Sequence, residues 1–213
     1  MEITKLGHCC LVIKVGELTI LTDPGMFTDA QNSLTNIDLV LITHEHADHF
    51  HIESLKQILK NNPNLKVMTN TAVGKLLEKE NIAHEIVEDG QNQLVKDVLI
   101  EGFGTTHAEV YKSITPVQNT GYLIAGRFFM PGDALHVPAK QVEILALPVA
   151  GPWIKISEAI DYAKAVKPKK CFPVHDAIIA KEARGFFSNL PANELAKEGI
   201  ELHMIEDGKS VTF

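Results

Sequence analysis

The segment Thr43-His44-Glu45-His46-Ala47-Asp48-His49 places three imidazoles and a carboxylate within six positions, directly after the apolar run Asp38-Leu39-Val40-Leu41-Ile42. Few folds can use such a sequence. A strand that ends in His-x-His sends both rings to one side of the pleat, because side chains alternate with period two. Asp48 and His49 then continue round the loop, so the ligand-type groups converge on one small volume. Imidazole and carboxylate in this ratio suit zinc, and also iron, manganese or nickel; a structural zinc or an iron-sulfur cluster would call for thiolates. A lone His-x-His is compatible with a solvated turn, but the added Asp48 and His49 favour a metal site.

Three further ligand-type residues stand where apolar strands run into small-residue loops. They are His107 in Gly104-Thr105-Thr106-His107, Asp133 in Met130-Pro131-Gly132-Asp133, and His175 in Cys171-Phe172-Pro173-Val174-His175. Strand ends are where a layered α/β protein gathers its site. Taken singly, each also reads as a turn or capping residue.

The periodicity predicts an α/β protein. Strands are expected over Glu2 to Leu6, Cys10 to Val15, Leu18 to Thr22 and Leu39 to Thr43, with a turn at Val15-Gly16-Glu17. Ile52, Leu55, Ile58 and Leu59 recur at helical spacing until Asn61-Asn62-Pro63-Asn64. Strand Lys66 to Thr69, a helix from Thr71 to Asn81 and strand His84 to Val87 follow. The later part repeats the pattern, with strands at Val98 to Phe103, Thr120 to Ile124, Phe128 to Met130, Ile144 to Leu147 and Lys170 to Pro173. Its helices are expected over Ser157 to Val166 and Ala177 to Leu190. No linker divides the chain, so residues 1–213 are expected to form one domain, with two sheets face to face and helices outside.

Composition narrows the function. The 213 residues are 45% apolar and 22% charged with a net charge of −7, and no basic run exceeds Lys169-Lys170. Long nucleic acid is therefore a poor partner, whereas a small anionic substrate stays compatible, because bound divalent ions would make the pocket locally cationic. No stretch approaches the ~18 to 20 apolar residues of a membrane helix, and Met1-Glu2-Ile3-Thr4-Lys5 lacks the form of a secretory signal. Cys9, Cys10 and Cys171 make no disulfide framework and read as reduced core residues. A cytoplasmic location is expected.

The order and spacing of these segments, with Asp23 in Leu21-Thr22-Asp23-Pro24-Gly25, resemble the metallo-β-lactamase superfamily over nearly the whole chain. The resemblance implies a four-layer αββα sandwich of two related halves with a site at one edge between the sheets. Carried over by position, it implies that His44, His46 and His107 hold one divalent ion, that Asp48, His49 and His175 hold a second, and that Asp133 bridges them. Asp23 would orient histidine ligands from outside the coordination sphere. His8, in Leu6-Gly7-His8-Cys9, is similar to the histidine that faces the pocket in the branch containing ascorbate-6-phosphate lactonase-like proteins.

From this follows the expectation of a binuclear hydrolase, with zinc first and manganese second, acting on a small ester, lactone or phosphorylated lactone. Asp48 would orient the attacking hydroxide and His8 would bind substrate or assist proton transfer. Trp153, in Gly151-Pro152-Trp153, would form an apolar pocket wall or pack in the core. The alternatives are a phosphodiesterase with the same ligands, and a metal- or metabolite-binding protein without turnover. Several departures from known members shape the choice. The expected lack of a signal peptide argues against antibiotic hydrolysis, and His46 stands where flavodiiron oxygen reductases carry glutamate. The length leaves little room for a nuclease's added arm, and no basic tail like that of glyoxalase II-type thioesterases is present. His51, His84, His136 and His203 read as surface or helix-end residues, with His136 a marginal pocket candidate through its proximity to Asp133.

Overall fold

Alternation along each strand decides which layer a side chain joins. In β2 (Cys10–Val15), Leu11 and Ile13 enter the core between two sheets, while Cys10 and Val12 face the helices outside. In β4 (Leu39–Leu41), Leu39 and Leu41 point inward and Val40 outward. The computed structural model describes residues 1–213, and this rule repeated over its strands produces four layers.

The first sheet runs β14 (Lys209–Thr212), β1 (Glu2–Gly7), β2, β3 (Leu18–Thr22), β4, β5 (Lys66–Thr69) and β6 (Glu85–Ile86). The second runs β13 (Glu201–Leu202), β12 (Lys170–Val174), β11 (Ile144–Pro148), β10 (Phe128–Met130), β9 (Gly121–Ile124), β8 (Val98–Phe103) and β7 (Asn92–Val95). The pairing grammar is the same in both. Strands β14, β1, β2 and β3 are antiparallel neighbours and β3 to β6 are parallel. Likewise β7 to β10 are antiparallel and β10 to β13 parallel. The two halves are related in just the way the sequence resemblance implies, and the C-terminal strand β14 completes the first.

Between the sheets, Ile3, Leu11, Ile20 and Leu39 of the first pack against Tyr122, Phe128, Ile144 and Phe172 of the second. Each such side chain contributes roughly 1.5–3 kcal/mol by leaving water. The helices α1 (Ile52–Asn61) and α2 (Thr71–Lys79) cover the outer face of the first sheet through Leu55, Ile58, Val73 and Leu77. The helices α3 (Ile156–Val166) and α4 (Arg184–Ala196) cover the second through Ala159, Ala163, Val166 and Leu195. No helix is long and apolar enough to cross a membrane. The αββα sandwich expected from the sequence is the architecture found.

The differences have local causes. Strand β4 stops at Leu41 rather than Thr43 because the Thr43 N–H donates to Asp23 Oδ1 (2.8 Å) instead of to a neighbouring strand. The histidines therefore meet through the turn of a loop, closed by donation from Phe50 N to His46 O (2.8 Å), and not through strand alternation. The helix expected over Ala177 to Leu190 starts only at Arg184, and Pro191 lies within it. Ahead of it, the Ile179 N–H turns back to Asp176 O (3.1 Å), and the Asp176 carboxylate is engaged by Lys5 rather than capping a helix. Strands β7, β13 and β14 escape the sequence reading because they are short and largely exposed edge strands, which alternation does not mark.

Gly25 sits beneath the histidine loop. A Cβ there would lie 1.8 Å from the Asp48 carbonyl oxygen, a backbone atom that cannot swing aside. Gly25→Ala should therefore destabilise the protein by about 1–3 kcal/mol, the range for overpacking a tight site. Urea denaturation followed by circular dichroism checks this, and an unchanged midpoint would show that the loop is not seated on Gly25.

Candidate metal centre

The ends of β1, β3, β4, β8, β10 and β12 all open toward one edge of the sandwich, and the loops that follow bring the predicted residues together. Two groups form there. His44, His46, His107 and Asp133 make one, and His8, Asp48, His49 and His175 the other; within each group the nearest ligand atoms all lie within 4.8 Å of one another. Asp133 faces both groups. Its Oδ2 is 3.0 Å from His175 Nε2, 3.3 Å from His107 Nε2 and 3.9 Å from His44 Nε2, while Oδ1 is 3.1 Å from His49 Nε2. Asp48 Oδ2 meets His8 Nε2 at 3.1 Å and His175 Nε2 at 3.4 Å. His46 and Asp48 are the partly exposed members, so the pocket opens on their side.

Second partners orient most of the rings. Asp23 is fully buried, and its Oδ2 accepts from Thr43 Oγ1 (2.8 Å) and from His49 Nδ1 (2.7 Å). Because Thr43 Oγ1 spends its proton on Asp23, it can accept from His44 Nδ1, 3.0 Å away. His107 Nδ1 donates to the Ala108 carbonyl at 2.6 Å. A proton fixed on Nδ1 leaves the Nε2 lone pair free. The Nε2 atoms of His44, His49, His107 and His175, with Asp133 Oδ1, are all buried without a well-formed hydrogen bond. Buried polar atoms are normally paired. Their convergence is what coordination of cations by these residues requires, so the donor set fits divalent ions.

The electrostatics agree. Burial alone would raise the Asp133 carboxyl, but the His49 charge and the close approach of His107 and His175 hold it well below the usual range. Asp48 is likewise held down, against burial, by His175 and His8. Burial lowers His49 and His175, yet it is outweighed: Asp133 and Asp23 raise His49 well above its ordinary value, and the nearby Asp133 and Asp48 carboxylates bring His175 up to about 9. Burial lowers His44 well below its ordinary value and takes His8 down to about 4. With only the pocket's own charges present, protons on His49 and His175 thus balance the carboxylates.

The structure brings together every residue singled out for the site. Trp153 is buried with its ring edge-on to His107 (5.7 Å) and His175 (5.6 Å), so it borders both groups. His51, His84 and His203 pair elsewhere, with Ser54, the Ile82 carbonyl and Glu201, and His136 packs beside Phe103. Sequence reading missed Asn119, whose Oδ1 accepts from Asp133 N (3.0 Å) and whose Nδ2 donates to Pro131 O (2.8 Å). It also missed Asn70, which caps α2 and donates to Thr43 O (2.8 Å). Neither has a marker in sequence. Phe27, whose ring lies 4.9 Å from that of His8, was missed as well.

Residues 2–175 match a family model described as the beta-lactamase superfamily domain. The chain belongs to the metallo-β-lactamase superfamily. It is 36% identical to Protein Rv0786c of Mycobacterium tuberculosis over 88% of this chain and 89% of that protein. It is 24% identical to the UPF0173 metal-dependent hydrolase Ta0764 of Thermoplasma acidophilum, over 82% and 83% of the two chains. Among solved structures, Igni18, described as a metallo hydrolase from the archaeon Ignicoccus hospitalis, superposes with a TM-score of 0.78. That match is 21% identical and covers 100% of this chain and 97% of that one. These similarities carry the superfamily and its fold, and stop short of the ascorbate-6-phosphate lactonase-like branch.

Cation uptake must displace the protons on His49 and His175, since only neutral imidazole coordinates. Both groups titrate above their ordinary value, so acid opposes uptake, and affinity should still be climbing as pH rises through about 9, where His175 loses its proton. Zinc titration at pH 7.5 in buffers of different ionisation enthalpy should report about one to two protons released. Zero release would contradict the charge balance described.

Proposed function

We propose that this metal-dependent hydrolase of the metallo-β-lactamase fold is binuclear and acts on a small ester or lactone, phosphorylated lactones included. His44, His46 and His107 would hold one ion and Asp48, His49 and His175 the other, with Asp133 placed to serve both. The observation that carries the reading is the set of buried, unpartnered Nε2 atoms from both groups converging around Asp133. Zinc fits best and manganese next, given imidazole and carboxylate donors without thiolate. Asp23, through Thr43 and His49, keeps two of the rings aimed.

When bound, paired divalent ions supply Lewis acidity and acidify a water toward neutral pH, which removes the need for a protein nucleophile. Asp48 lies at the open side of the pocket and is a carboxylate throughout the neutral range; it accepts a hydrogen bond from the attacking water and so aims it. His8 is neutral at that pH and directs Nε2 at Asp48 Oδ2. As the Nε2–H tautomer it donates to that carboxylate, and so acts on the reaction through Asp48 by fixing its position. Trp153 and the half-exposed Phe27 give the pocket apolar walls, which suit the carbon skeleton of an ester or lactone. A small molecule is the natural substrate for a pocket bounded in this way, and neither a membrane nor long nucleic acid enters the reading. The three unpaired, buried cysteines support a reducing, cytoplasmic setting.

The zinc- and manganese-loaded proteins should hydrolyse simple lactones in preference to phosphodiesters, and Asp48→Asn should lower turnover by about 10²–10⁴-fold, as loss of a proton-handling group does. His8→Ala should lower turnover with both ions still bound. Steady-state rates with parallel metal analysis decide this. Phosphodiester turnover that depends on Asp48, without lactone turnover, would overturn the acyl reading, and unimpaired Asp48→Asn would overturn the mechanism.

A further inference from the structure

His175 differs from the other buried histidines assigned here as ligands. His44, His49 and His107 each have Nδ1 held by a partner, whereas His175 Nδ1 is buried with none. Its backbone is also in the left-handed region, with φ of 60°, where a residue with a side chain sits only if its surroundings hold it. Ring packing against His8 (4.0 Å between centroids) and Trp153 gives contact without a directional bond. The orientation of His175 must therefore come largely from the chain on either side of it.

That chain is clamped by a buried lysine from the opposite sheet. In β1 the inward register holds Ile3 and Lys5, and Lys5 is only 1% exposed. Its ammonium donates to Asp176 Oδ2 at 2.7 Å and to the Pro173 carbonyl at 3.0 Å, gripping residues on both sides of His175. Asp207 Oδ1 lies 4.0 Å away, and the Lys5 carbonyl accepts from Gly208 N, so the turn before β14 closes over the same point. An apolar side chain of equal length would fill this position without the desolvation cost of a buried charge. The contribution of Lys5 is then geometric: its two directional bonds join the strand leading to His8 with the loop carrying His175.

We propose that Lys5 is a positioning residue for the second ion site, holding the His175 backbone so that Nε2 points at Asp48 and Asp133. The assignment rests on the two-ion reading above. The second ion site then has two supports: Asp23 braces His49, and Lys5 braces His175. Thr43 braces His44 of the first.

The test is zinc titration against a chromophoric chelator, using the wild-type protein and three variants. Lys5→Met keeps the volume but leaves the buried Asp176 without its cation. Because that variant can fail to fold, Lys5→Met/Asp176→Leu removes both charges together, and Lys5→Arg keeps a donor. One of the two zinc steps should lose at least about tenfold in affinity in both methionine variants, as when an outer partner of a ligand is removed. The other step should stay unchanged, and Lys5→Arg should recover most of the loss. A folded double variant with two wild-type affinities would overturn the assignment. Wild-type protein that takes up fewer than two zinc ions would overturn the two-ion reading and the assignment with it, and that result is visible before any variant is measured.

Discussion

Asp133 places a carboxylate charge where almost no water reaches it, and most of the site answers that one constraint. A buried charge costs several kcal/mol unless it is paired and hydrogen-bonded. Here the pairing comes from imidazoles on three separate loops: His49 after β4, His107 after β8 and His175 after β12. Asn119 holds the Asp133 backbone from below. None of these histidines is adjacent to another in the fold's strand order, so the constellation exists only when both sheets are packed. Coordination and folding are coupled for that reason.

The duplicated pairing pattern explains why the site lies at an edge. Each sheet changes from antiparallel to parallel partway across, and the loops that bear the ligands leave from strands near that change. Crossover helices α1 and α3 occupy the outer layers and leave the strand ends free. His107, Asp133 and His175 lie within a few residues of the ends of β8, β10 and β12, so rigid strands aim them more accurately than mid-loop positions could be aimed. The apolar neighbours Trp153 and Phe27 shape what approaches the carboxylates and imidazoles.

Most of this was legible in the sequence wherever a residue type was unusual for its place. A histidine or aspartate at the end of an apolar run has no reason to be there for packing, so His44, His46, His49, His107, Asp133 and His175 announced themselves. Strands with strict alternation, such as β2, were equally plain. Edge strands such as β14 were not, because an exposed strand paired on one side needs no apolar pattern. The start of α4 was misjudged because the side chain of Asp176 is taken by a residue 171 positions away, a contact no local pattern encodes. Lys5 did leave a trace: it is a charge in the inward register of β1, next to Ile3, and that was not read as a signal. Asn70 and Asn119 left none, since asparagine is ordinary in loops and at helix starts.

Anomalous diffraction at the zinc edge, from crystals grown with zinc, tests whether two ions share Asp133. Two peaks are expected, one among His44, His46 and His107 and one among Asp48, His49 and His175, with Asp133 reaching both. A single peak, or a second one away from Asp48 and His175, would contradict that sharing.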